Sequence, residues 1–172
     1  MMNVASKSII LLAGLLSFPA LAATTQVTFK DPESYRDIEA VNELQSRFEE
    51  KIFTGLREHF TALGELLPES NQLNITVTEL DITGRVEPTF GVGGAQAMRV
   101  VDRIDFPRIH FSYTYTDASG QVVKTEEVKL NDVGFEQGMR RALRSGRDQL
   151  YYEKKLLDEW FYKSFGIRPN IR

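Results

Sequence analysis

The residues best placed to do chemistry lie in "RIHFSYTYT", residues 108–116. Strand alternation puts Arg108, His110 and Ser112 on one face, with an imidazole one pleat away from a hydroxyl. Serine beside histidine is the beginning of a hydrolase, provided a third group orients the imidazole and a strained turn exposes the nucleophile. No G-x-S-x-G elbow surrounds Ser112, and a third member would have to be a loop acid such as Asp102. The plainer reading is a water-facing strand. The other histidine, His59, shares a helical arc with Ile52 and Leu63 and reads as a rim or core histidine with one hydrogen bond.

Other groups have weaker spacing. Asp81, Asp102 and Asp105 lack the dense oxygen-ligand pattern of a calcium loop, and the absence of cysteine removes thiolate-ligated zinc and redox-thiol chemistry. "GVGG" has no strand-to-helix context or following lysine for a phosphate. No cofactor is expected. Arg140, Arg144 and Arg147 recur at helical spacing, with Arg141 nearby, and planar guanidinium groups favour phosphates and carboxylates. Glu136 and Asp148 stand four residues from Arg140 and Arg144, where local pairing competes for that charge. Arg108, His110 and Ser112 on the strand face, and the three arginines, are therefore the candidate binding residues.

These groups need elements to hold them. "QVTFK" alternates as a short strand, and Asp31-Pro32 after it reads as a turn or helix start. From Asp37 to Leu63, Ile38, Val41, Leu44, Phe48, Ile52, Leu56, Phe60 and Leu63 recur at steps of three and four, predicting one amphipathic helix ended by Gly64 and Pro68. "QLNITVTELDI" alternates again, with a slip at Glu79-Leu80 that predicts a bulge or strand end. Thr83 to Ala97, with four glycines and Pro88, has no period and reads as one long loop. "RIHFSYTYT", the turn "DASG" and "QVVKTEEVKL" form a hairpin.

The last segment becomes helical between Met139 and Arg147. In "LYYEKKLLDEWFYKSFG", Leu150, Leu157, Trp160, Phe161 and Ser164 share one side, with a left-handed cap at Gly166. Its mixed-sign polar face, with Asp158 and Glu159 beside Lys155 and Lys163, suits a lid over a sheet better than a foot on a membrane. The order β-α-β-β-β-α predicts an α+β two-layer sandwich: a four-stranded, mostly antiparallel mixed sheet with both helices on one face. Its other face would present Asn74, Thr76 and Thr78 beside Arg108, His110, Ser112, Thr114 and Thr116.

The N-terminus supplies an address. Lys7, the apolar run Ile9 to Leu16 and Ala20-Leu21-Ala22 follow the order of a secretory signal peptide, with cleavage expected after Ala22. The run is too short for a comfortable bilayer span, Pro19 interrupts it, and no cysteine is available for lipid attachment. Residues 23–172 are then one domain, not membrane-spanning, and held by packing without disulfides. Loss of Lys7 with the leader takes the net charge from −3 to −4, which argues against nucleic acid as a partner.

Four stretches in this order, "VTFKDPESYRDI", "LNITVTELDITGRVEP", "PRIHFSYTY" and "LYYEKKLLDEWF", resemble the domain-of-unknown-function family numbered 3016 over nearly all of the expected mature chain. The resemblance implies an exported protein of Gram-negative bacteria and carries no activity or site residues. At Ile82 to Gly84 "ITG" replaces the more alanine-rich turn expected in that family. The combined expectation is a periplasmic, non-catalytic module that binds an envelope protein, glycan or anionic lipid. A small hydrolase centred on His110 and Ser112, and a structural subunit of an envelope complex, are the alternatives.

Overall fold

A computed structural model describes residues 23–91, 94–101, 104–133 and 148–170, with backbone alone for 89–91 and 94–97. Among the described residues, six strands and two α-helices follow in the order β1 (Thr24–Phe29), α1 (Gln45–Gly64), β2 (Gln72–Asp81), β3 (Arg85–Gly91), β4 (Gly94–Val100), β5 (Arg108–Thr116), β6 (Val122–Asn131) and α2 (Tyr151–Phe165). The main sheet has the order β1-β2-β5-β6. β1 runs parallel to β2, its neighbour across α1, and β5 is antiparallel to both β2 and β6. This is the expected α+β arrangement of a four-stranded mixed sheet with two helices.

The alternation read from sequence decides which side of the sheet is covered. Leu73, Ile75 and Val77 of β2 and Ile109, Phe111 and Tyr113 of β5 are buried beneath the helices with Phe48, Ile52, Leu56 and Phe60 of α1. On α2, Leu157 and Phe161 are fully buried and Trp160 is 4% exposed, so the aromatic arc is core. Trp160 meets the rings of Phe111 at 4.8 Å and Tyr113 at 5.2 Å edge-on, a geometry that aligns ring edges with π faces. Gly64 lets α1 approach β1: a Cβ there would lie 1.8 Å from Thr25 Oγ1. Gly166 takes the left-handed cap at φ 71° and donates its N–H to Tyr162 O at 2.8 Å.

Three expectations are corrected. The helix read from Asp37 begins only at Gln45, because Asp37 and Asn42 adopt positive φ (55° and 59°), which a right-handed helix cannot contain. Gln45 instead fastens this approach segment: its amide donates to Ile38 O at 2.6 Å and its carbonyl oxygen accepts from Ala40 N–H at 2.8 Å. The long loop is largely a hairpin, β3 pairing antiparallel with β4 from Arg85↔Val100 to Gly91↔Gly94, the two glycines that bound "GVGG". The bulge falls one step earlier than read, between Val77 and Glu79. The region in which α2 was expected to begin, up to Arg147, lies outside the described residues.

Arg99 of β4 fixes the hairpin to the body. Its guanidinium donates to the carbonyl oxygens of Gly84 (2.5 Å), Asp37 and Glu39 (2.9 Å each), and lies over the Phe48 ring. Beside it, fully buried Glu153 of α2 accepts from Thr83 N–H at 2.7 Å and Thr83 Oγ1 at 2.9 Å. Burial pushes the Glu153 carboxyl up, against the pull of the Thr83 bonds and the Arg99 charge. Sequence reading had no place for this acid among the apolar residues of α2.

Candidate functional site: the open face of the sheet

The face turned away from the helices carries most of the residues singled out above, and the bulge in β2 assembles them. With one extra residue at Thr78, Glu79 comes opposite His110 and Asp81 opposite Arg108, while Leu80 turns into the core. Without that insertion Glu79 would take an inward position. The structure thereby supplies the third group that His110 lacked: Glu79 Oε2 lies 2.8 Å from His110 Nδ1. The signal for it was the slip in alternation, whose consequence for facing went unread.

Arg108 is committed elsewhere. Its guanidinium donates to Asp81 Oδ2 at 2.6 Å and lies 4.2 Å from the centre of the Phe106 ring. Asp81 is 6% exposed, and its carboxyl is pushed up to about 6, chiefly by burial and then by the hydrogen bond and charge of Asp37. Arg108 and Arg36 oppose that shift.

Beyond His110 the strands open into a depression of about 300 Å³ lined by Thr78, His110, Ser112, Glu127 and Lys129. Further along lie Asn74 and Thr76 of β2 and Thr114 and Thr116 of β5. Thr78 Oγ1 donates to His110 O at 3.3 Å and Thr114 lies 3.4 Å from Thr125. Among the described residues, the side chains of Asn74, Thr76 and Ser112 have no hydrogen-bond partner, leaving their donors and acceptors for water or a ligand.

Among the described residues this arrangement offers hydrogen-bonding groups at its surface, and nothing activates Ser112 as a nucleophile. Ser112 makes no hydrogen bond to His110, and it lies inside a strand flanked by β2 and β6, whose ladders occupy the backbone amides that an oxyanion hole would need. Metal ligation is equally unsupported among the described residues, where no group of three ligating side chains converges. Asp105 instead takes Arg85 at 2.5 Å, and Asp102 lies outside the described residues. His59 is buried on α1 with its Nε2 2.8 Å from Asp158 Oδ1, and joins the two helices. Arg140, Arg144 and Arg147 lie outside the described residues, so nothing places them near the open face.

The profile of the family described as Protein of unknown function (DUF3016) matches residues 23–163. The chain belongs to this family. Membership covers the main sheet, the β3–β4 hairpin and most of α2, and it brings no assigned activity or site to the DUF3016 fold. No curated protein shows significant similarity to the chain. Among the described residues no helix is long and apolar enough to cross a membrane.

Proposed function

We propose that this chain is an exported, non-catalytic binding module of the Gram-negative periplasm that recognises an envelope glycan or protein through the open face of its sheet. The carrying observation is the row of Asn74, Thr76 and Ser112, whose hydrogen-bonding groups find no partner among the described residues, with Ser112 lining a depression. Short hydroxyl and amide side chains on a flat strand surface suit polar, uncharged partners, since each offers both a donor and an acceptor. The leader pattern supports export, and the family match begins at residue 23, just after the expected cleavage point. An anionic lipid partner would instead draw on Arg140, Arg144 and Arg147.

The test is retention of the exported protein on cell-wall glycan and on crosslinked envelope fractions. Thr76→Lys with Ser112→Lys should abolish retention while leaving the far-ultraviolet circular dichroism unchanged; retention equal to that of the parent would sink this reading. Amino-terminal sequencing should begin at Ala23. A hydrolase centred on His110 and Ser112 has one observation in its favour, the Glu79–His110 pair. It requires that His110→Ala abolish turnover on a panel of esters and amides. The reading as a structural subunit requires one stoichiometric partner on crosslinking in intact cells.

A further inference from the structure

β6 ends the sheet, and among the described residues its outer backbone edge bonds to nothing. A strand of ten residues whose edge no described residue covers is a template for another strand. Natural edges are often blunted by charges pointing inward, and Lys124 and Glu126 of β6 do point toward the helix layer. Here those charges are already neutralised: Lys124 Nζ lies 3.0 Å from Glu126, whose carboxylate accepts from Tyr113 O–H at 2.8 Å. Between this edge and α2 runs a groove of about 460 Å³ whose apolar wall is Val128, Leu130, Leu156 and Trp160. Among the described residues the buried indole N–H of Trp160 has no acceptor.

We propose that the occupant is a second copy of this chain, the two β6 strands pairing antiparallel about a twofold axis that passes between their Val128 residues. A twofold normal to the sheet keeps helix side to helix side and joins two four-stranded sheets into one. Residues that face each other must then share a side, and charge selects among the allowed registers. Centring on Glu126 or on Glu127 sets a carboxylate against its own copy, which is destabilising. Centring on Val128 sets Glu127 against Lys129 and Lys129 against Glu127 on the open side, and leaves Lys124 and Glu126 to each other. Centring on Thr125 also avoids like charges, but it would employ Lys124 and Glu126, which already hold each other and Tyr113. The Val128 register places the axis beside the apolar groove, where the second copy's strand and helix cover it.

The test uses the exported protein made from the full chain. Sedimentation equilibrium should give a dimer at concentrations of about 10 µM. Glu127→Lys alone and Lys129→Glu alone, both on exposed side chains, should each weaken dimerisation on the order of tenfold or more, by turning opposed pairs into repulsive ones. Combining them should restore it, a rescue that damage to the fold could not produce. The chain contains no cysteine, so Val128→Cys should give a single oxidised dimer, and Thr125→Cys should not. A monomer up to about 100 µM, with the edge left to a foreign strand, overturns the proposal. So does crosslinking through Thr125→Cys in place of Val128→Cys, or a double variant as weak as the single ones.

Discussion

The two faces of β5 are built from alternate residues of one strand and do different work. Inward, Phe111 and Tyr113 meet Trp160 in a network of edge-on rings, and Ile109 is fully buried. Outward, among the described residues, the Ser112 side chain makes no hydrogen bond and His110 holds Glu79 alone, at 2.8 Å. One strand therefore separates what holds the fold from what is free to recognise, and substitutions on its two sides should be felt in different assays.

The largest expected effect lies on the inner side. Trp160→Ala should destabilise the protein by about 3–5 kcal/mol in urea unfolding, from lost burial and the cavity left among Phe60, Phe111 and Tyr113. A change under about 1 kcal/mol would erase the distinction between the faces.

Asp81 sharpens the comparison because it belongs to the outer row yet is buried. Its carboxyl rises from 3.8 in the unfolded chain to about 6 in the folded one, so the folded state retains a proton that the unfolded state releases. The stability this contributes is complete below about pH 4, and is lost as the pH rises through about 6. The corresponding ceiling is on the order of 3 kcal/mol. Urea unfolding at a series of pH values should show this decline, and Asp81→Asn, which cannot ionise, should flatten it. Glu153, raised by burial, contributes in the same direction, so Glu153→Gln should remove a further part of the slope.

Smaller effects are expected further out. Glu79→Gln replaces the carboxylate that meets the His110 imidazole, side chains 35% and 24% exposed, and should cost about 1 kcal/mol or less by thermal denaturation. Thr76→Ala and Ser112→Ala should each stay within about 0.5 kcal/mol of the parent. Their consequence should appear in retention on envelope material. If these two substitutions destabilise as much as Trp160→Ala, the outer face is part of the framework and not a recognition surface.

Much of this division was legible in the residue order. Alternation in 73–77 and 109–115 identified both strands and their inward sides, and the spacing of Leu157, Trp160 and Phe161 identified the buried arc of α2. The start of α1 was not legible, since Ile38 continues the apolar stripe while Asp37 and Asn42 take left-handed backbone angles. The β3–β4 hairpin was hidden because its strands pair only with each other and include Pro88 and terminal glycines, which weaken any alternating signal. Glu153 was unreadable for a different reason. Its need for burial arises from Thr83, a donor 70 positions away that only the folded chain brings near.

The extra residue at Thr78 acts as a change of reading frame written in space. Upstream of it, β2 sends odd-numbered side chains inward; downstream, even-numbered ones. Shortening the strand there by one amino acid would exchange the orientations of Glu79 and Leu80, driving an anion into the interior and an isobutyl group into water. The chemistry of the open face and the integrity of the interior thus hang on a single length, and neither can drift without the other.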